Sequence, residues 1–261
     1  MWRVEDGKQM ATMSTGSGDC CCLTVSNDGK WIAAGTWSDG DALSVWDAKT
    51  YERVFKDEDI CFICAVDFSP DSKRLVMASY HGEVIVWDVA SNKQVQMVHH
   101  QFVRVAKYSP TGDHIATATA SSVKVWDSND GRLLVSINVK VTAYNAGLVW
   151  FNNHLLVVSN NTIKQFDTAT GSAVAKWPVL GSDDSCIALP KHGKFIAHST
   201  KNTITFWDTS THAQVSLIQH PQDIKSIAFS PDDQSLAFGG KDGKISIIRV
   251  SRIIVSVVSL D

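Results

Sequence analysis

The first quarter of the chain concentrates thiols: Cys20, Cys21 and Cys22 in succession, then Cys61 and Cys64 two residues apart. Four thiolates suffice for a closed tetrahedral zinc site, so metal binding is the first chemistry this pattern could do. Nine histidines, among them His99, His100 and His192, could serve acid–base or triad chemistry. A triad needs a serine in an activating turn such as G-x-S-x-G, and the sequence has none. The pair Asp183-Asp184 resembles carboxylates placed for acid–base or metal work. It lies in a Gly/Ser loop, where solvated turn acids are expected. No glycine-rich phosphate loop is present.

The bulk composition narrows the classes. With 261 residues, 44% hydrophobic, 20% charged and a net charge of −3, the chain can bury a sizeable core. Its basic residues are scattered and its pI is near 6.3, so it has no electrostatic footprint for nucleic acid. The start, MWRVEDGKQM, lacks an apolar segment of signal type. The most apolar tract, residues 245–260, contains Arg249 and Arg252 and is too short and polar to cross a bilayer. Consecutive cysteines make a poor disulfide framework. A reducing intracellular setting, cytoplasmic or nuclear, is expected.

The elements that would position these residues announce themselves as a repeat. Trp2, Trp46, Trp87, Trp126, Phe166, Trp207 and Ile248 follow at gaps of 44, 41, 39, 40, 41 and 41. Asp47, Asp88, Asp127, Asp167 and Asp208 come next in five of them, with Arg3 and Arg249 at the two ends. Turns such as Phe68-Ser-Pro70, Tyr108-Ser-Pro110 and Phe229-Ser-Pro231 stay in phase between short apolar runs. Runs of four to eight residues without helical periodicity read as strands, so the chain is all-β. A period near 40 with a Trp-Asp pair marks a propeller blade.

The order of apolar run, FSPD-like turn, second run, and third run ending in Trp-Asp resembles the WD40 repeat along essentially the whole chain. The resemblance implies an all-β WD40 β-propeller with six complete four-stranded blades plus a partial N-terminal blade. The expected boundaries are 1–14 (partial blade, strands c and d), 15–56, 57–99, 100–139, 140–180, 181–219 and 220–261. It also implies a network joining the strand-c tryptophan to a His, a Ser or Thr, and an Asp. That network is degraded: His220 and Asp242 stand beside Gly239 and Ile248, while Ser79 and Trp87 stand with His81. Thr200, Asn202 and Trp207 make the fifth set, and His100 sits at the structural histidine position. Packing is therefore expected to dominate stability, with Trp87, Trp126 and Trp207 structural.

The same alignment sets Cys21 and Cys64 at matching positions of neighbouring inner strands. Alternation of side chains along a strand would turn Cys20 and Cys22 away from Cys21, so the thiols are expected to fill core rather than bind metal. No metal, cofactor or catalytic residue is expected. The resemblance places Cys21, Cys64, Arg104, Ala146, Ser185 and Lys225 at the channel mouth. Nearby loops add Trp37, Tyr80, His81, Phe102, Tyr144, Lys201 and Lys241. Of these, Trp37, Tyr80, His81, Phe102, Arg104, Tyr144, Lys201, Lys225 and Lys241 are the candidate contacts for a protein or peptide partner, because exposed aromatics and arginine dominate binding hot spots. A mere cap on strand ends is the competing role for Trp37.

The expected function is a non-enzymatic scaffold or adaptor. A propeller-mouth enzyme or small-molecule binder is the alternative; it lacks convergent carboxylates or histidines. A ubiquitin-ligase substrate receptor is a second alternative, but the arginine it often carries two residues after the WD aspartate is replaced by Lys49, Ala90, Asn129, Ala169 and Ser210. Residues 1–4 and 8–13 should form strands c and d of a blade whose a and b strands are absent, with residues 252–260 as the last strand d. That count predicts a fragment of a longer protein or an open seam, and self-association through the unpaired blade edge or the C-terminal apolar strand.

Overall fold

The computed structural model describes residues 1–15, 18–57, 60–142, 147–180 and 185–254. The chain divides into two compact units, residues 1–119 with 124–134 and residues 120–123 with 135–261. Six antiparallel sheets follow one another, each ordered like a propeller blade. The first three are β1 (Asp19–Val25), β2 (Trp31–Trp37), β3 (Leu43–Asp47) and β4 (Arg53–Asp57); β5 (Ile63–Phe68), β6 (Arg74–Ser79), β7 (Glu83–Asp88) and β8 (Lys93–His99); then β9 (Val105–Tyr108), β10 (His114–Ala118), β11 (Ser122–Asp127) and β12 (Leu133–Asn138). Next come β13 (Leu148–Phe151), β14 (His154–Ser159), β15 (Thr162–Asp167) and β16 (Ala173–Pro178); β17 (Cys186–Ala188), β18 (Phe195–Thr200), β19 (Thr203–Asp208) and β20 (Gln214–Gln219). The last sheet is β21 (Ile224–Phe229), β22 (Ser235–Gly240) and β23 (Ile245–Arg249), followed by the helical turn α1 (Ser251–Ile254).

Two kinds of turn, both written in the sequence, make these strands. Between first and second strands of four sheets a serine hydroxyl accepts the backbone N–H five residues on, as Ser69 does from Arg74 at 2.9 Å and Ser26 from Trp31 at 2.9 Å. Between third and fourth strands the WD aspartate closes the turn. Asp47 accepts the N–H of Lys49 and of Thr50 at 2.8 Å each, and Asp208 those of Ser210 and Thr211 at 2.9 and 2.7 Å. Asp88, Asp127 and Asp167 do the same. These bonds favour the charged carboxylate, holding Asp208 down at about 2, chiefly through the Ser210 hydroxyl.

Packing then joins sheets within each unit. In the first unit β5 packs on β1 and β2, and β9 on β5 and β6; in the second β17 packs on β13, and β21 on β17 and β18. The first strand of each sheet is thus the inner one. Leu43, Ile63, Leu75 and Met77 fill one such interface, and Phe195, Phe206, Leu236 and Phe238 another. Gly35 permits the first: a Cβ there would collide with Ile63 and the Cys22 sulfur.

The six-blade order stands, with corrections at both ends. Residues 1–4 and 8–13 form no strands; Trp2 and Gln9 share an isolated bridge, and Trp2 is exposed. Met13 instead packs on Ile32, Ala34 and Trp46. Among the described residues the sixth sheet has three strands. Arg252 and Ile253, expected in its strand d, lie in α1, and residues 255–261 fall outside the described residues. At this position Arg249 stands where the other five sheets carry the turn-closing aspartate.

The tryptophans also differ. Trp126 is buried and donates its indole N–H to Thr117 Oγ1 at 2.8 Å, which also contacts His100 Nδ1 at 2.8 Å. Blade 3 therefore keeps three network members in contact. Trp87 is half-buried, lies tilted against Phe55 with centroids 4.9 Å apart and donates to Asn92 Oδ1 rather than to Ser79. Trp207 is half-buried with no partner for its indole N–H.

Candidate protein-interaction face

The first unit carries a row of aromatic rings where its sheets end. Trp37, the last residue of β2, stays 44% exposed, yet its ring centroid lies 5.1 Å from both Phe62 and Tyr80. Tyr80 continues the row to Phe102 at 5.5 Å, and His81 lies 5.4 Å from Phe62. Phe102 is 51% exposed. Loops from three successive sheets thereby present one continuous aromatic strip. The neighbours of Trp37 come from the next sheet.

Backbone hydrogen bonds fix this strip independently of the rings. Phe62 N donates to Ser38 O, Tyr80 N to Phe62 O, both at 3.0 Å, and His100 N to Gly82 O at 2.8 Å. Phe62 and Phe102 adopt left-handed backbone, with φ of 52° and 61°. Bulky residues rarely do so, and such strain concentrates at functional sites. Gly82, at φ +104°, is needed for close approach, since a Cβ would sit 2.8 Å from both Gln101 Cα and the His99 ring.

Beside the strip the inner strands carry bulges. Register shifts leave Cys21, Cys64 and Lys225 as the extra residues in β1, β5 and β21. The bulge at Cys21 overturns the alternation argument for the cysteines. Cys20 is exposed, while Cys21, Cys22, Cys61 and Cys64 are half-buried, so core filler describes Cys186 but not Cys20. Burial pushes the Cys64 thiol up to about 11, Cys21 adding to it and Arg104 opposing it. Burial likewise raises Cys20, Cys21 and Cys22, which keeps these sulfurs protonated and poorly nucleophilic. Among the described residues no group of three His, Cys, Asp or Glu side chains could hold a metal ion.

The second unit places its candidates differently. Lys201 (φ 44°) lies between β18 and β19, Lys241 between β22 and β23, and Lys225 on β21; all three are exposed. Their loops are tied by Ile224 N donating to Lys201 O and Lys241 N to Asp223 O. Tyr144, Ala146 and the Asp183-Asp184 pair lie outside the described residues. Ser185 is buried, with its hydroxyl unpartnered, rather than exposed at a mouth. The sequence reading missed Phe62. Its signal was phase, because Phe62 and Phe102 each stand two residues before the inner-strand positions Cys64 and Arg104.

Comparison with known proteins assigns the fold to a family. The model described as "Nucleolar protein 10-like, N-terminal domain" matches residues 2–159, more than half of the chain. The chain belongs to this family. A "WD domain, G-beta repeat" model matches residues 212–249 of the same propeller-type chain. Among similar proteins, the transcriptional corepressor LEUNIG_HOMOLOG of Arabidopsis thaliana is 25% identical over 69% of this chain and 24% of its own length. The guanine nucleotide-binding protein subunit beta-1 of Nicotiana tabacum is 24% identical over 69% of this chain and 54% of its own. Protein groucho of Drosophila melanogaster is 24% identical over 85% of this chain and 31% of its own. The chain thus spans between a quarter and about half of these relatives.

Proposed function

We propose that this chain is a non-enzymatic WD-repeat adaptor that holds a protein or peptide partner on the aromatic strip of its first unit. Trp37, Phe62, Tyr80 and Phe102 supply the apolar contact, His81 and Arg104 the polar border. The observation that carries the reading is the strip itself: rings from three sheets, Trp37 and Phe102 exposed and Phe62 and Tyr80 half-buried between them, on backbone locked by hydrogen bonds and two left-handed phenylalanines. Rigid aromatic contacts lose little entropy on binding and dominate interface energetics. A relative named as a corepressor and one named as a subunit fit a scaffold role, and the family's nucleolar description fits a nuclear setting. Lys201, Lys225 and Lys241 of the second unit are a separate set of candidate partner contacts, independent of the strip. The enzyme and ubiquitin-ligase readings gain nothing from the geometry.

Affinity capture with quantitative mass spectrometry tests this. The double variant Trp37→Ala, Phe102→Ala should lose at least one reproducible partner while melting within a few degrees of wild type, as exposed substitutions do. An unchanged partner list at unchanged stability would refute the assignment.

A further inference from the structure

The aromatic strip carries carboxylates at its Trp37 end. Asp19, the first residue of β1, is the register partner of Trp37, the last residue of β2. Directly opposed residues of an antiparallel pair share a face of the sheet, so the Asp19 carboxylate and the Trp37 ring stand on the same side. Asp19 is exposed, as Trp37 is. A Cβ on Gly18 would sit 2.9 Å from Ser38 Cβ and 3.0 Å from Trp37 O, so the start of β1 lies tight against the loop that follows Trp37.

That loop adds a second carboxylate. Thr36 N donates to Ala42 O at 2.8 Å and the Ser38 hydroxyl to Gly40 O at 2.7 Å, which fixes the turn that carries Asp39. Asp41 of the same loop is turned to Lys56 at 3.3 Å, whereas Asp39 stands exposed. An exposed indole with carboxylates on the neighbouring strand and in the adjoining loop is the chemistry that receives a cation. The ring face attracts positive charge, and the carboxylates accept charge-assisted hydrogen bonds. Arginine suits it better than lysine, because a planar guanidinium can stack on a ring while its N–H fork engages a carboxylate. Phe62, Tyr80 and Phe102 continue the strip without charge, and Arg104 stands at its far end. The positive charge of a partner is therefore matched at the Trp37 end alone.

We propose that the strip recognises an apolar peptide segment bearing an arginine, whose guanidinium stacks on Trp37 and pairs with Asp19 and Asp39. The proposal rests on the reading of the strip as the docking face. The probe is a random peptide library displayed on phage, selected on the full chain and counter-selected on the Trp37→Ala, Phe102→Ala variant, so that the peptides retained depend on the strip. Arginine should recur at one position beside apolar residues. In fluorescence anisotropy of the retained peptides, citrulline, the uncharged analogue, in place of that arginine should weaken binding about tenfold or more. Asp19→Asn with Asp39→Asn should do the same at unchanged melting temperature, and added salt should shrink both effects. Strip-dependent peptides with no recurrent cation, or with lysine as common as arginine, would overturn the proposal and leave the adaptor reading standing. So would undiminished affinity for the Asp19→Asn, Asp39→Asn variant. A selection that yields no peptide discriminating the two forms of the chain would remove the strip as a docking face, and this proposal with it.

Discussion

The two units repeat one backbone stitch with different side chains. In the first, Tyr80 N donates to Phe62 O at 3.0 Å; in the second, Lys241 N donates to Asp223 O at 2.8 Å. Both acceptors stand two residues before a bulged inner-strand residue, Cys64 or Lys225. The hydrogen bond fixes the loop, and the side chains on it are then free to diverge into aromatic rings or charges. The interiors diverge too. In the first unit Thr117 joins His100 and Trp126, although Ser44 and Tyr108 keep unpartnered hydroxyls, whereas in the second the indole N–H groups of Trp177 and Trp207 have no partner. Repeated packing evidently tolerates a lost polar network, but each tryptophan should then respond to substitution differently.

The largest effect should come from the satisfied network. Trp126→Ala should cost about 3–5 kcal/mol, the range for truncating a buried aromatic. Trp126→Phe should still cost about 2–3 kcal/mol, because Thr117 loses an indole donor, whereas Trp207→Phe should cost about 1 kcal/mol or less. Urea melts of the two phenylalanine variants measure the contrast directly, and equal losses would break it.

A pH titration of stability sharpens the comparison next. Burial lowers His198 from 6.5 to about 4, and burial with Lys124 and His99 lowers His100 to about 4. Both stay neutral in the fold while the unfolded chain protonates near 6.5. Their contribution is therefore complete above pH 6.5 and declines as the pH falls towards 4. His198→Leu should reduce the slope in that window by about one proton; an unaltered slope would mean that His198 is not buried neutral. The smallest effect belongs to the lysine loops. Lys201→Glu with Lys241→Glu should change stability by no more than about 0.5 kcal/mol and leave capture through Trp37 and Phe102 intact.

Much of this molecule was legible because its punctuation is chemical. The 40-residue period and the apolar runs mark the sheets, and the serine turns of four of them and the aspartate turns of five are closed by side chains local in sequence. Trp37, Tyr80, His81 and Phe102 were legible as loop aromatics, but their meeting in one strip depends on how neighbouring sheets pack. Phe62 was hidden because nothing in its local sequence shows a left-handed backbone. Cys20 was misjudged because a bulge, which has no fixed sequence mark, reverses the facing rule. The N-terminal strands, residues 1–4 and 8–13, were misjudged because phase alone cannot form a strand that lacks a partner to pair with.

The aspartate turns carry a consequence for the order in which the protein assembles. Each joins a carboxylate to N–H groups two or three residues away, so an outer hairpin can close before any distant segment arrives. Such local hairpins form in roughly microseconds, whereas packing β5 on β1 must first close a loop of dozens of residues. Five outer hairpins can therefore appear early, in parallel and in any sequence, as a set of independent nuclei. The sixth sheet has no such nucleus at Arg249.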